Sequence, residues 1–349
     1  MTDVTAETSP HDAVLVVSFG GPEGPDDVLP FLEYVLRGRN VPRERMLEGS
    51  EHYSLFGGVS PINSQCRDVI AALKQELDAH QIELPIYWGN RNWHPMLSDT
   101  MEQMARDGVR RALAYVTSAY SSYSSCRQYR ENILTAQEAV GDTAPVVEKL
   151  RVFYNHPDFV EANIDRLQDA VAELGPDSGD AFHIAFTAHS IPDSMADGCD
   201  YVQQLTEVSR LAAESLGLTD DRWKLVYQSR SGPPHIPWLE PDICDHLEAV
   251  KSDGVNDVIV MPIGFLSDHM EVIFDLDHEA RETSERIGLN MIRSETVGTH
   301  PKFIAMIRKL ITERLFDADR ESVGTCPPRP DRCGEGCCPA PARHPRGPK

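Results

Sequence analysis

Short apolar runs alternate with longer amphipathic segments along this chain, and the alternation limits the folds that it can adopt. The apolar runs are typical of buried strands and cover residues 13–19, 85–90, 111–120, 183–190, 224–229 and 257–265. Many of the intervening segments carry apolar residues three and four positions apart, which favours helices. Strands that alternate with helices are typical of parallel sheets covered on both faces. The sequence therefore predicts an α/β protein.

These strands fall into two groups on either side of a polar segment, residues 175–180. A chain of 349 residues is long enough for two domains, each with its own core. We expect a flexible N-terminus at 1–12, an N-terminal domain at 13–175 and a C-terminal domain at 176–318. The remaining residues, 319–349, form a cysteine-rich tail.

The charge of the chain excludes one large class of partners. A formal net charge of −22 argues against a nucleic-acid partner, which would require a basic surface. No run approaches the roughly 18 apolar residues that a membrane span requires. The polar, acidic N-terminus matches neither a signal peptide nor a basic transit peptide. We therefore expect a cytoplasmic protein without a stable membrane anchor.

Ligands of open parallel sheets lie beyond the carboxyl ends of the strands, so the residues just after each apolar run are informative. Gly20 and Gly21 follow the first run, but no G-x-G-x-x-G motif is present, which gives no support for a nucleotide cofactor. The fourth run ends at His189. A histidine there is either structural or a general base that faces the cleft.

The sixth run leads into an acidic segment, PIGFLSDHMEVIFDLDHE, at residues 262–279. Glu271, Asp275 and Glu279 are four positions apart, so a helix would line their carboxylates up on one face. Like charges at this spacing repel one another unless cations lie against them. The row is therefore either a solvated acidic face or a site that handles a metal ion.

Half of the eight cysteines crowd together near the end of the chain: Cys326, Cys333, Cys337 and Cys338. In a reducing cytoplasm such a cluster is more often a metal or iron–sulfur site than a disulfide framework. The C-x6-C-x3-C-C spacing fits no zinc finger well. The surrounding tail is rich in Pro and Gly and cannot form a core, so it is either disordered or fixed by a metal.

Several unlinked motifs together resemble the ferrochelatase family from residue 13 to about 315: SFGGPEGPDDVLPFLEYVLRGR, GGVSPIN, FTAHSIP, YQSRSGPPHIPWLEP and GFLSDHMEVIFDLDHEA. The resemblance implies insertion of ferrous iron into a porphyrin with release of two protons. It also implies a class II chelatase-like fold with two Rossmann-like domains and a porphyrin cleft between them. The YSSC motif and the cysteine tail resemble the actinobacterial branch, whose members carry a 2Fe-2S cluster and act on coproporphyrin III.

The same resemblance implies roles for individual residues. His189 matches the histidine of the active site, which would serve as iron ligand and proton acceptor. Glu271 matches its partner acid. Asp275 and Glu279 fall where the family has an outer metal site, which favours the metal interpretation of the acidic row over the solvated face.

Other positions imply contacts with the porphyrin. Phe19 stands where many bacterial relatives have a tyrosine, and its ring can stack on a porphyrin but cannot bind metal. Arginine suits the carboxylates of propionates because its planar fork donates two hydrogen bonds. Expected propionate contacts are Arg37, Arg39, Ser60 and Tyr129, with Asn90, Arg91 and Asn92 as further partners, and Tyr120 and Tyr123 as macrocycle contacts. Arg37 is also compatible with an ordinary surface arginine.

Cluster ligation in the family combines one internal cysteine with three from the tail. The implied ligands here are Cys126, Cys326, Cys333 and Cys338, with Cys337 as the alternative to Cys338 because adjacent cysteines cannot easily both bind. Such a cluster would clamp the tail to the N-terminal domain.

Three other functions stay open at this point. A relative that acts on protoporphyrin IX, or one that loads cobalt or nickel into a tetrapyrrole, would share these motifs, and a non-catalytic carrier would bind haem or metal without turnover. Residues 61–67 contain no apolar lip insertion, so we expect a monomer, with transient contacts to neighbouring haem-pathway enzymes.

Overall fold

The computed structural model describes residues 11–38, 41–175 and 181–341. It contains two sheets of four parallel strands, ordered β2-β1-β3-β4 and β6-β5-β7-β8. The first sheet consists of β1 (Ala13–Ser18), β2 (Ile86–Asn90), β3 (Arg111–Val116) and β4 (Val146–Lys149). The second consists of β5 (His183–His189), β6 (Trp223–Gln228), β7 (Asp257–Met261) and β8 (Asn290–Arg293). The predicted architecture of two parallel α/β sheets is confirmed.

Helices cover both sheets. The N-terminal half contains α1 (Pro25–Val35), α2 (Arg43–Leu55), α3 (Ile62–Ala79), α4 (Leu97–Arg106), α5 (Gln128–Val140) and α6 (Pro157–Leu174). The C-terminal half contains α7 (Asp193–Ala196), α8 (Tyr201–Ser215), α9 (Ile243–Ser252), α10 (Met270–Phe274), α11 (Arg281–Ile287) and α12 (Pro301–Leu315). Two π-helices, Tyr123–Arg127 and Asp275–Ala280, lie next to α5 and α10.

The two central strands carry the most apolar sequences because helices bury both of their faces. All six residues of β1, AVLVVS, are buried, and so are six of the seven residues of β5, HIAFTAH. Burial of this kind replaces the alternating pattern of a half-exposed strand. Strands β4 and β8, with the sequences VVEK and NMIR, lie at sheet edges and are largely half-exposed, which explains why no apolar run marked them.

One hydrophobic cluster spans the space between the sheets, since it contains Val14 and Leu113 of the first sheet and Phe186 and Ile259 of the second. A buried ion pair lies at its edge. The guanidinium group of Arg151 donates to both carboxylate oxygens of Glu313 in α12, each at 2.8 Å. Removing one member of such a pair costs about 3–5 kcal/mol because the other charge stays buried without a partner.

The first part of the tail is hydrogen-bonded to the body. Arg151 Nη2 donates to the carbonyl of Glu321 at 3.0 Å, and Asn155 Nδ2 donates to the carbonyl of Cys326 at 2.9 Å. The carboxylate of Glu207 accepts from the backbone N–H of Thr325 at 2.6 Å. Hydrogen bonds within the chain therefore hold residues 321–326 of the tail against the body.

Helix α2 differs from the other long helices because none of its side chains is buried. Its His52 ring stacks on Phe274 of α10, with the ring centroids 3.8 Å apart and the planes 8° from parallel. In the described part of the chain, no helix has both the length and the apolarity that crossing a membrane would take.

Candidate active site

His189 and Glu271 lie at the same edge of the second sheet. His189 is the last residue of β5, and Glu271 belongs to α10, which follows the adjacent parallel strand β7. The carboxyl ends of adjacent parallel strands meet at one edge, which brings the two side chains together. His189 Nε2 is 3.6 Å from Glu271 Oε2. The other ring nitrogen, Nδ1, hydrogen-bonds to the carbonyl of Ser190, which assigns the Nδ1 proton and directs Nε2 at Glu271.

The two groups form an ion pair. Burial by itself would lower the pKa of His189, but the charge of Glu271 and the hydrogen bond between them hold that pKa above its usual value. Burial would likewise raise the pKa of Glu271, but His189 and His269 hold it below its usual value. The side chains remain accessible from the cleft, with exposed fractions of 31% for His189 and 50% for Glu271. The pair is therefore charged and open to a ligand.

His269 is a further member of this site, and sequence reasoning gave it no role. Its Nδ1 is 3.8 Å from Glu271 Oε2. Burial, the largest influence, lowers the pKa of His269, and the charge of His189 lowers it further. Its position two residues before Glu271 was the available signal, but spacing alone does not show which way a side chain at a helix start points.

The acidic row continues from α10 into the π-helix Asp275–Ala280. Burial, together with the charges of Glu271 and Glu279, raises the pKa of Asp275 to about 7, against a lowering effect of the Ser229 hydroxyl. The structure therefore brings the three carboxylates of the row within electrostatic reach of one another. Glu279 lines a surface cavity with Asp242 and Cys244.

Gln228 and Ser229, at the end of β6, hydrogen-bond to the acidic row. The sequence did not indicate a role for either residue. Gln228 Nε2 donates to the carbonyl of Glu271 at 2.9 Å and to Asp275 Oδ2 at 3.4 Å. The hydroxyl of Ser229 donates to the same carboxylate oxygen. Ser229 has a φ of 62°, a left-handed conformation that non-glycine residues rarely adopt. Strain of this kind is often found where the chain holds a functional group in place.

Phe19, Phe31 and Tyr53 form an aromatic cluster in the N-terminal half. Phe19 contacts Phe31 edge-on with centroids 6.4 Å apart, and Phe31 contacts Tyr53 in the same way at 6.1 Å. Burial and then the charge of Glu271 raise the pKa of Tyr53. Sequence reasoning missed Tyr53, although it stands shortly before the GGVSPIN motif.

The predicted propionate contacts have different surroundings. Arg37 Nη1 donates to Asn92 Oδ1 at 3.5 Å. Burial lowers the pKa of Arg91, and the positive charge of Arg37 lowers it further. Ser60 packs against Gly21 and is 4% exposed. Arg39 lies outside the described residues.

Two of the predicted contact residues, Tyr120 and Tyr129, are buried in the structure. Tyr120 is 1% exposed, and its hydroxyl donates to the carbonyl of Ile263 at 2.8 Å, so it belongs to the core. Tyr129 is 5% exposed and packs under the Arg91 guanidinium, 4.8 Å from its ring centroid. Tyr123 is half-buried, and its hydroxyl donates to Glu131 at 3.0 Å.

Thiols gather where the tail meets the body. Cys126 lies in the π-helix Tyr123–Arg127 and is buried, as is Cys338. The Sγ atoms of Cys337 and Cys338 are 3.6 Å apart. Burial raises the pKa of Cys338 most, followed by its hydrogen bond and charge interaction with Cys337 and then by the charges of Cys126 and Cys199. Burial and then Cys337 also raise the pKa of Cys333.

Cys326 has polar neighbours of its own. Its thiol hydrogen-bonds with the Tyr154 hydroxyl and lies 3.9 Å from the amide nitrogen of Gln203. An all-thiol donor set suits soft metals and iron–sulfur clusters. No three His, Cys, Asp or Glu side chains of the described residues surround a common point at which one metal ion would be held.

Solved structures share this fold at low sequence identity. The sirohydrochlorin chelatase SirB from Bacillus subtilis subspecies spizizenii, in complex with cobalt, matches with a TM-score of 0.51 and 12% identity, covering 87% of this chain and 94% of that chain. SirB from Bacillus subtilis with Fe3+ matches with a TM-score of 0.54 and 13% identity, covering 87% and 96%. The protein therefore has the fold of the chelatases, with a histidine–carboxylate pair at the end of its second sheet.

The family follows from sequence. The ferrochelatase family model matches residues 11–315, and the chain belongs to the ferrochelatase family. A ferrochelatase of Rhodopirellula baltica is 54% identical over 335 residues, covering 95% of each chain. A coproporphyrin III ferrochelatase of Streptomyces coelicolor is 51% identical over 366 residues, covering 99% of this chain and 97% of the relative.

Proposed function

We propose that this protein inserts ferrous iron into coproporphyrin III, giving Fe-coproporphyrin and two protons, in haem biosynthesis. The observation that carries the proposal is the accessible ion pair of His189 and Glu271, 3.6 Å apart at the sheet edge where such folds bind ligands. Relatives named coproporphyrin III ferrochelatase, at 42–51% identity, support the choice of substrate. We expect the reaction in the cytoplasm, catalysed by a monomer with transient contacts to neighbouring enzymes of haem synthesis.

The chemistry requires a group that binds Fe(II) and groups that accept two pyrrole protons. A neutral imidazole does the first, and here His189 Nε2 is directed into the cleft. Because Glu271 keeps His189 protonated in the free protein, that proton must leave before iron binds. Asp275, with a pKa near 7, is the adjacent acceptor, and Glu279 continues the row outward. We propose that Asp275 accepts protons from the reacting centre while its carboxylate is free, and that Asp275 and Glu279, once both are deprotonated, would hold a hydrated outer metal.

The N-terminal side of the cleft suits a substrate with many carboxylates. Arg37 and Arg91 lie close enough for their charges to act on each other. Nε of Arg91 has no hydrogen-bond partner within the described residues, although Arg91 is only 9% exposed. A propionate placed between the two guanidinium groups would relieve their repulsion. Four propionates make coproporphyrin III a better match than protoporphyrin IX, which has two.

The substrate is tested by anaerobic turnover of coproporphyrin III and protoporphyrin IX with Fe(II). We expect faster metallation of coproporphyrin III, and faster metallation of protoporphyrin IX would overturn the choice. Fe(II), Co(II) and Ni(II) in competition address a cobalt or nickel chelatase, which is the second candidate because the solved SirB structure holds cobalt. Porphyrin binding without turnover would identify a carrier.

We further propose a 2Fe-2S cluster at the tail, with Cys126, Cys326, Cys333 and Cys338 as ligands and Cys337 as the alternative to Cys338. The grouping of Cys126 with Cys338, and of Cys333 with Cys337, supports it. Cys326 would have to turn away from Tyr154 to join them. When bound, the cluster would tie the tail to the π-helix that contains Cys126. Iron and sulfide content of protein purified without oxygen tests this proposal, and substitution of Cys333 by Ser should remove both.

A further inference from the structure

Helix α8 contacts the backbone of His189. The ladder between β5 and β7 ends at the pair of Phe186 and Met261, so strand β7 does not pair with His189. The carbonyl of His189 instead accepts from the hydroxyl of Tyr201, the first residue of α8, at 3.1 Å. Tyr201 is 5% exposed. A buried phenol of α8 therefore holds the backbone of the histidine at the cleft.

Two further residues on the same side of α8 bind other parts of the chain. Gln204 Oε1 accepts from the backbone N–H of Ser121 at 2.7 Å, and its Nε2 donates to Ser121 Oγ at 3.0 Å. Glu207 Oε1 accepts from the N–H of Thr325 at 2.6 Å and from its hydroxyl at 3.0 Å. Tyr201, Gln204 and Glu207 are three positions apart, so they lie along one side of the helix. About 9 Å of helix axis separates the first from the last.

The tail segment that meets Glu207, residues 321–327, is also held by Asn155. Asn155 Nδ2 donates to the carbonyl of Cys326 at 2.9 Å. Gly324 has a φ of 82°, and a Cβ at this position would collide with the carboxylate of Glu207. A glycine is therefore required for the backbone of the tail to come so close to α8. The segment fits the surface that Glu207 presents.

We propose that α8 transmits the docking of tail segment 321–327 to the backbone of His189. Tyr201, Gln204 and Glu207 act as positioning residues for iron insertion, and this inference rests on the proposed function of the site. Releasing the tail removes one of the three contacts that fix this side of α8, and the helix carries the change to Tyr201. Small displacements of a reacting group lower its rate of reaction strongly. The contribution of the tail uses hydrogen bonds alone, so it does not depend on a cluster.

Steady-state iron insertion into coproporphyrin III by full-length variants is the first test. Tyr201→Phe removes the hydroxyl that holds His189, and Glu207→Leu removes the acceptor of Thr325. We expect each variant to lower kcat about tenfold and to leave KM for the porphyrin unchanged, because the expected porphyrin contacts lie in the N-terminal half. The double variant should fall no further than the lower single variant, since both changes break one path. Glu207→Gln keeps an acceptor oxygen and should keep kcat.

Two matched controls separate positioning from stability. Arg210→Gln breaks the ion pairs of Arg210 with Glu207 and Glu214 but leaves the contact with Thr325 in place. Tyr115→Phe removes a hydroxyl from another buried tyrosine, which is 1% exposed and belongs to the core. Both controls should keep kcat, even where urea unfolding shows a loss of stability. A tenfold loss of kcat in either control would show that the rate follows stability and would overturn the proposal.

An NMR measurement needs neither iron nor porphyrin. His189 and Ser190 form the single His–Ser dipeptide of the chain, so carbonyl-¹³C histidine combined with ¹⁵N serine gives one peak from that peptide bond. Tyr201→Phe should move this peak because it removes the hydrogen bond to the carbonyl. Glu207→Leu should move it in the same direction. If Glu207→Leu does not fold, Gly324→Ala replaces it, since the added methyl group pushes the tail from Glu207 and leaves α8 unchanged.

The two measurements separate this proposal from the proposed function. A peak that moves in Tyr201→Phe but stays in place in Glu207→Leu and in Gly324→Ala would overturn transmission through α8. Wild-type kcat in Glu207→Leu would overturn it as well. Wild-type protein that inserts no iron would overturn the proposed function, and the NMR peak would then decide the link between the tail and His189 by itself.

Discussion

Two histidines mark the ends of strand β5 and differ in almost every physical property. His183, the first residue, is 7% exposed, and its Nε2 lies 3.1 Å from Nε2 of the buried His246. Burial lowers the pKa of His183 and of His246 to about 4, so both are neutral at pH 7. His189, the last residue, faces Glu271 and carries a proton. One strand thus holds a neutral histidine at its closed end and a charged one at its open end.

The difference shows that the partner, rather than the strand, decides what a histidine does. Helix α9 covers the amino end of β5 and supplies another imidazole through His246. The carboxyl end faces the cleft, where α10 supplies a carboxylate through Glu271. A neutral pair that shares a hydrogen bond has no capacity to spare for a ligand, whereas a charged, accessible pair does.

Replacing the histidine at the open end should have the largest effect. His189→Ala removes the iron ligand and proton acceptor, so we expect kcat for iron insertion into coproporphyrin III to fall by about 10²–10⁴-fold. The matched variant His183→Gln should keep most of the activity at pH 7, because His183 is far from the cleft. Initial rates and far-UV circular dichroism measure both. Equal losses in two folded variants would contradict the functional division.

Removing the carboxylate of Glu271 should make the pKa of His189 more like that of the buried His183. In Glu271→Gln, burial is no longer opposed by a negative charge, so the pKa of His189 should fall below that in the wild type. Titration of the imidazole C–H signals by NMR measures it. Glu282→Gln, which removes the partner of His278, is the control. A pKa for His189 that stays high without Glu271 would show that another group holds the proton.

The buried histidines at the amino end of β5, His183 and His246, should make the stability of the protein sensitive to acid. His183 and His246 titrate near pH 4 when folded and near 6.5 when unfolded, so the unfolded chain binds more protons between these values. The free energy of unfolding should therefore fall as the pH drops from about 6.5 to 4, by about 3 kcal/mol for each histidine.

Urea unfolding of wild type and His246→Gln at pH 7 and pH 5 measures this loss. The variant should lose less stability between the two pH values than the wild type. The exposed His80 provides a control, since His80→Gln should leave the pH dependence unchanged. The same pH dependence in all three proteins would show that other groups cause the acid loss.

The smallest effect on activity is expected from Ser229, whose hydroxyl donates to Asp275 in the acidic row. Ser229→Gly keeps the left-handed backbone without strain but removes the hydroxyl that lowers the pKa of Asp275. Because that pKa should rise above about 7, more Asp275 would be protonated at neutral pH and less available as a proton acceptor. We expect activity at pH 7 to fall about twofold to threefold and to recover at pH 8.5. Equal activity ratios at both pH values would argue against a role for Asp275 in proton transfer.

Much of the fold was predictable from apolar runs. The runs at 13–19 and 183–190 match β1 and β5 to within one residue, because strands buried on both faces must be apolar throughout. The runs at 111–120 and 257–265 extended beyond β3 and β7, since the chain after each strand stays buried while leaving the sheet. Edge strands β4 and β8 left no such signal.

The site was predictable where chemistry was fixed by position in the chain, and it was not where folding decided orientation. His189 ends β5 and Glu271 follows the adjacent strand β7, and the resemblance to the family, rather than the strand pattern, was what paired them. Tyr120 looked accessible in a polar loop, but the chain turns inward there, where Gln204 accepts from the backbone of Ser121 at 2.7 Å. The influence of Glu271 on Tyr53 depends on how α2 is placed relative to α10, which no local pattern encodes.

Helix α2 is weakly held to the rest of the molecule, since none of its side chains is buried. Glycines with positive φ lie on both sides of it, Gly38 at 76° and Gly57 at 68°. The stack of His52 on Phe274 is its ring contact with the segment that bears Glu271, and an aromatic contact contributes about 0.5–1.5 kcal/mol. A single contact of this size holds little against thermal motion, so α2, with no buried side chain, should show less hydrogen-exchange protection than the buried helices.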